Sequence, residues 1–527
     1  MSTLLRQYQD SLQNPRIVFP MLALLISGIS ILLFIGGVFP LSSVNFAFWT
    51  VLFGLGCLYR PNWGFLLLLT VLPFETLNLV SSSWGLMLRP YQWLFLILVA
   101  VLALRVLSGR TPWSLFRWHP IDGLLGLIPL GAFISGLAGG GEGIRLSVIV
   151  LSFYALYLLG RVFLKTIKDL SLAMSTFTAA GLPVLLYGVA QNVSFEFGGT
   201  LAAVMPGRPN ATFAEPDWLG LFVTILFIFV FAALFRATSD FQSQVSGALL
   251  RTLLLGLLLV PIAITLILSV SRSAWLALAL ALLIGAGIAL IQSGRQRLRT
   301  MFQTSELTVI AFILALFFVV EIPLTRFDLL NRAESTATGL QEITVACEEP
   351  TVFPDQIGDV SELSSFGCRH INLEEREALA LSGSSIQTVR RLDPNVEIRS
   401  SIYRKTWEEI RQHPVLGIGW GNIGSVLGRD ENGSAYNASN LWLEVWLGAG
   451  LLGLAGLLGV IVFVTLRLVK GIAQKTLAEQ TFEQYPVAFA ALVAFGVFNL
   501  FNAGLLIGFV WIWFAALPVL FPVKTKP

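Results

Sequence analysis

Three short stretches hold the residues best suited to chemistry. The first, RPNATFAEPDWLG, gathers Arg208, Asn210, Thr212, Glu215 and Asp217. The second, SVSRSAW, sets Arg272 in a short turn between two apolar runs. Arginine carries a permanent charge on a planar fork of donors, which suits phosphate. Glu215 and Asp217 are candidate bases, and equally candidates to cap a helix starting near Pro216. The third stretch, RQHPVLGIGWGN, holds His413, Pro414, Gly417, Gly419 and Gly421, and an apolar run follows that opens on Ser439 and Asn440.

The alternating glycines have the look of a dinucleotide loop. That reading fails, because no strand precedes them and no βαβ unit follows. Glycine also permits backbone angles and close approaches that other residues refuse, so a bend is the plainer role. No motif calls for ATP, a nucleic acid, a cofactor or a metal. His370 lies near Cys368, but no second His/Cys pair completes a tetrahedral set.

These residues must be positioned by a membrane protein. Of 527 residues, 55% are hydrophobic and 12% charged, against about 25% charged in soluble proteins. Fourteen apolar segments are long enough to be read as spans. They lie near 17–38, 43–59, 62–80, 90–107, 121–138, 145–162, 170–191, 217–235, 252–269, 273–291, 306–325, 440–466, 485–502 and 504–522. The expected fold is an all-α polytopic membrane protein with about 12–14 transmembrane helices. Residues 1–325 would hold the first eleven, 326–439 a large extracytoplasmic loop domain, and 440–527 the C-terminal helices.

Charge sets the expected orientation. With the N-terminus in the cytoplasm, the short outward segments hold only Arg89, Arg145, Arg208 and Arg272. The other short segments carry most of the lysines and arginines. Both termini are then expected in the cytoplasm and segment 326–439 outside the plasma membrane. Arg89 and Arg145 read as snorkelling side chains. Arg208 and Arg272 read as functional, as an arginine at membrane depth does by default.

In the outward segment, Cys347 and Cys368 face an oxidising compartment, so a disulfide is expected. Cys57 falls in a span and reads as a small packing residue. From Glu397 to Gln412, Ile398, Ile402, Trp407 and Ile410 recur at helical spacing among charges that include Arg404. This predicts an amphipathic helix on the outer membrane face, stopped at Pro414, with His413 forced out of helical geometry.

RKTWEEIRQHPVLGIGWGN followed by SNLWLEVWLGAGLLG resembles the O-antigen ligase and polymerase superfamily, and the Arg208 and Arg272 stretches resemble its two upstream arginine motifs. The resemblance covers roughly residues 200–300 and 395–460. It implies a GT-C-like helical fold and a glycosyltransferase acting on a polyprenyl-diphosphate-linked glycan. The acceptor would be a lipid core, a growing glycan or a protein hydroxyl on the periplasmic face of the inner membrane. Arg208 and Arg272 would engage the diphosphate, with Arg404, Ser439 and Asn440 as further binding residues. Where the family usually carries a histidine before the asparagine, this chain has Ser439, a poor base. His413, Glu215 and Asp217 are the candidates to take that role. Two competing readings are a bicarbonate-type transporter, for which Glu75 and Glu321 are the in-span acids, and a family member that has lost its chemistry.

Overall fold

The computed structural model describes residues 14–522, apart from 86, 113, 139, 200, 206, 292–294, 323, 326–338, 359, 372–374, 393, 430–434 and 474–483. Among the described residues eleven α-helices precede the loop: α1 Pro15–Ile35, α2 Ser43–Tyr59, α3 Pro61–Val71, α4 Pro90–Leu107, α5 Pro120–Ala138, α6 Gly140–Phe163, α7 Ile167–Glu196, α8 Pro216–Gln242, α9 Ala248–Leu268, α10 Arg272–Ile291 and α11 Arg295–Glu321. Among the described residues nine helices of the chain are long and apolar enough to cross a membrane, and five more are apolar but shorter. The chain is an all-α polytopic membrane protein, and these helices fall on the fourteen expected segments.

Local sequence explains where they begin. Proline opens α1, α3, α4 and α8, where its missing N–H is no loss. Thr166 and Asp169 form a capping box on α7. The segment expected over 62–80 is helical only to Val71. Beyond it the backbone is satisfied by another loop: the Glu75 and Thr76 N–H groups both donate to Thr212 O at 3.0 Å. The Thr212 hydroxyl donates in return to Pro73 O at 2.6 Å. Irregular backbone survives inside such a bundle only when protein supplies its partners.

Arg89 does not snorkel. It pairs at 2.8 Å with Glu75, whose carboxylate also accepts from Gly508 N at 3.2 Å. A second ion pair joins Arg161 Nε to the fully buried Asp122 at 2.9 Å. Arg145 stays exposed beside Glu142.

Residues 325–408 cluster as a separate compact unit, while 409–527 cluster with 1–324. The smaller unit holds β1 Leu340–Cys347, β2 Cys368–His370, α12 Arg376–Leu381 and β3 Ser385–Leu392. Its antiparallel sheet runs in the order β2-β1-β3. This sheet was not anticipated, although Ile343, Val345 and Cys347 alternate inward as a half-buried strand requires. Cys347 and Cys368 sit opposite each other in the register and are joined by a disulfide. The amphipathic helix is present as α13, Pro394–Gln412, with Ile402 and Ile410 buried and Ile398 and Trp407 exposed. After it come α14 Trp420–Leu427, α15 Leu441–Ala473, α16 Gln484–Phe498 and α17 Gly508–Leu520.

Candidate functional site

The Arg208 loop is held rigidly from beneath. Asn210 is buried, accepts from Val204 N at 3.0 Å and donates to Phe213 O at 2.6 Å. Gln191 of α7 accepts from Ala211 N at 2.7 Å, and Asn192 donates to Gly207 O at 3.1 Å. Asn210 and Thr212 therefore brace the loop and do not present themselves to a ligand. Arg208 itself lies across the α9–α10 turn. Its Nε donates to Ser269 O at 3.1 Å, and its terminal nitrogen pairs with Asp217 at 3.6 Å.

The turn carrying Arg272 closes the same site. Val270 takes a positive φ of 49°, which reverses the chain within a few residues. The Ser271 hydroxyl donates to the Asp217 carboxylate at 2.5 Å and lies 3.2 Å from the Ser273 hydroxyl. Asn502, beyond the end of α16, donates to Ser273 at 2.9 Å. Gly220 lets α8 and α10 touch here, since a Cβ would lie 3.0 Å from Ser271 and Ala274. Arg272 is the first residue of α10 and is partly exposed.

The network continues to the start of α15. The Asn440 amide donates to Leu500 O at 3.0 Å, and its Oδ1 accepts from Trp442 N and Leu443 N at 3.0 and 3.2 Å, capping the helix. Leu441 N donates to Asn499 O at 2.9 Å. A chain of contacts thus runs from Arg208 through Asp217, Ser271, Ser273 and the 499–502 turn to Asn440. Ser439, beside it, has a positive φ of 48°.

One turn further along α15, Glu444 is buried and binds Trp420 Nε1 at 3.2 Å and Ala438 N at 2.7 Å. The helix is then broken at Gly450, with φ 65° and ψ −168°, a conformation open essentially to glycine alone. The return segment 414–419 fills the break. Ile418 N and Gly419 N donate to Leu447 O at 2.8 and 3.0 Å, and Leu451 N donates to Val415 O at 2.9 Å. A Cβ on Gly417 would lie 2.3 Å from Leu447 O, and one on Gly450 2.3 Å from Val415 O. So the glycines do more than turn the chain. They let one backbone lie directly against another.

Hydrogen bonds link Arg208 and Asp217 to the turn that carries Arg272 and, through the 499–502 turn, to Asn440, with Ser439 adjoining. Glu215 stands exposed at the N-cap of α8, on the same loop as Arg208. His413 is exposed just past α13; its neighbour Pro414 accepts from Trp446 Nε1 at 2.8 Å. Arg404 is exposed and belongs to the 325–408 unit. Sequence reasoning missed Ser271, Ser273, Glu444, Asn499 and Asn502. The two asparagines were visible as NLFN, polar residues inside an apolar run. No group of metal ligands occurs among the described residues. The acids on which transport would rest are otherwise engaged or placed: Glu75 is paired with Arg89, and Glu321 is the exposed last residue of α11.

No curated protein and no solved structure matches the chain. A family model does, described as O-antigen ligase, over residues 255–458. That match includes the Arg272 turn, the smaller unit, the 414–419 segment and the break in α15. The chain is a multi-pass membrane protein whose residues 255–458 match the O-antigen ligase family.

Proposed function

We propose that the protein transfers a glycan from a polyprenyl diphosphate to a hydroxyl acceptor on the periplasmic face of the inner membrane. The observation that carries this reading is the path from Arg208 through Asp217 and Ser271 to Asn440. It joins Arg208, the turn that carries Arg272, and a helix-capping asparagine. In the reaction the acceptor oxygen bonds to the anomeric carbon while the carbon–oxygen bond to the diphosphate breaks. The bonding pair leaves with the diphosphate, whose charge Arg208 and Arg272 stabilise. Donors aimed at developing charge are typically worth about 10²–10³ in rate each. The acceptor proton passes to a base.

Asp217 is engaged by both Arg208 and Ser271, so its role here is to hold Arg208 in position. Glu215, exposed on the same loop, takes the base role in this scheme, with His413 as the second candidate. Ser439 and Asn440 border the donor site, and Arg404, carried by the smaller unit, is a further candidate for glycan binding.

The test is to delete the gene, profile surface polysaccharides and lipid-linked glycan, and complement with Arg208→Ala and Arg272→Ala. Loss of the transferred glycan, accumulation of its lipid-linked form and failure of both variants to restore transfer are expected. Unchanged glycans in the deletion strain would overturn the transfer reading. Full rescue by both variants would overturn the site.

A further inference from the structure

At the opposite end of α4 from the Glu75–Arg89 pair, the bundle is indented by an open pocket of about 300 Å³. Eighteen residues of helix separate the two, or roughly 27 Å at the α-helical rise. The pocket is built where α2 ends, α3 begins, and α4 and α6 end. Arg60, Arg105 and Lys165 line it, together with Asn62 and Trp63, and among the described residues no acid does. On the charge bias of the sequence, this end faces the cytoplasm.

The three cations are held differently. Arg60 lies over the Tyr59 and Trp63 rings, 5.2 and 5.9 Å from their centroids. Arg105 spends one donor on Leu58 O at 2.9 Å and has four others. Lys165 is exposed, and the nearby Asp169 carboxylate accepts from the Lys165 and Thr166 backbone N–H groups. Arg60 also caps α3, whose first turn holds no acid, so the positive end of that helix adds to the same field.

One wall of the pocket opens on an apolar track. Val51, Leu55 and Tyr59 of α2 are all strongly exposed and follow one another at i, i+4 and i+8, which places them on one helix face. A cluster of cations at the end of membrane helices, meeting an exposed apolar stripe, matches a ligand with a phosphate head and an acyl chain. We propose that this pocket binds the phosphate of an anionic phospholipid of the cytoplasmic leaflet, with an acyl chain along the Val51–Leu55–Tyr59 face. Basic pockets between membrane helices recognise lipid headgroups in this way. A free phosphate ion would use the cations but not the stripe.

The full chain, purified in detergent and delipidated, is titrated with phosphatidylglycerol, phosphatidylcholine or inorganic phosphate and followed by native mass spectrometry. Phosphatidylglycerol is expected to bind at least tenfold more tightly than phosphatidylcholine and to resist displacement by millimolar phosphate. The double variant Arg60→Gln, Lys165→Gln leaves the Arg105–Leu58 contact in place. It is expected to weaken phosphatidylglycerol about thirtyfold, at roughly fivefold per cation. Arg145→Gln, at an exposed pair elsewhere, is expected to change nothing. Equal binding of the two lipids, displacement by free phosphate, or undiminished binding in the double variant would each overturn the proposal. Should the double variant not fold, the comparison of the three ligands on the unaltered protein still decides.

Discussion

Gly417→Ala tests whether the return segment must lie against the break in α15. Two costs add at this position. Its φ of +67° is left-handed, which charges an L-residue about 1–2 kcal/mol. The new methyl would also meet Leu447 O at 2.3 Å and Trp446 O at 2.6 Å, and neither backbone oxygen can swing aside alone. Moving Leu447 O loosens its bonds from Ile418 N and Gly419 N, each worth about 1 kcal/mol net. The expected total is about 3–4 kcal/mol. Gly37→Ala is the matched control, because it has φ +68° and nothing within 4 Å of its Cβ. It carries only the conformational cost, about 1–2 kcal/mol. Unfolding of the purified variants in a detergent–denaturant series reads the difference directly. Gly450→Ala, meeting Val415 O at 2.3 Å, belongs to the same contact. The double variant should therefore cost less than the two singles together. If Gly417→Ala destabilises no more than Gly37→Ala, the backbone-on-backbone contact is not what holds this segment.

Asp217→Asn keeps a partner for Ser271 but removes the charge facing Arg208, and should raise the donor KM more than it lowers kcat in a transfer assay. Equal losses in Asp217→Asn and Asp217→Ala would contradict a positioning role. Arg89→Ala leaves Glu75 buried and unpaired and should cost about 3 kcal/mol, whereas Glu75→Gln with Arg89→Gln should cost less, as read by thermal unfolding. His119 donates from Nε2 to Phe521 O and accepts at Nδ1 from Ile121 N, so its ring is bound as the neutral form. Burial lowers its pKa below the usual 6.5, with Arg161 and Arg467 acting in the same direction and Asp122 and the Phe521 carbonyl against it. Both states are neutral at this ring above that value. As pH falls through it the unfolded chain takes the proton first, and stability should drop. A His119→Gln variant should lack that part of the drop, and an unchanged pH profile would refute it.

The helices were legible because each is an apolar run closed by proline, glycine or charge, and those signals are local. The disulfide was legible because the two cysteines of the hydrophilic segment had only each other. The interior polar contacts were not. Arg208 meets Ser269 across 61 positions, and Ser273 meets Asn502 across 229, distances over which spacing carries no information. Arg89 was misread for the same reason: its partner Glu75 lies inside what reads as one continuous span. The sheet in the smaller unit is a different case. LQEITVAC and SIQTVRRL alternate as strands do, but they sit among charges and turns that masked the pattern. For the site, the residue types pointed to phosphate chemistry. The serines and asparagines that knit those residues together had no signal beyond being polar in apolar surroundings.

The filled break in α15 has a consequence for how the sequence can vary. Gly417 and Gly450 are two halves of one contact, each excluding a side chain because the other's backbone neighbourhood is there. Homologues that vary the stretch between them must keep this pairing. They are not free to move either glycine alone. Changes at the two positions should be inherited together, and a chain that carries a side chain at one should have straightened the helix at the other.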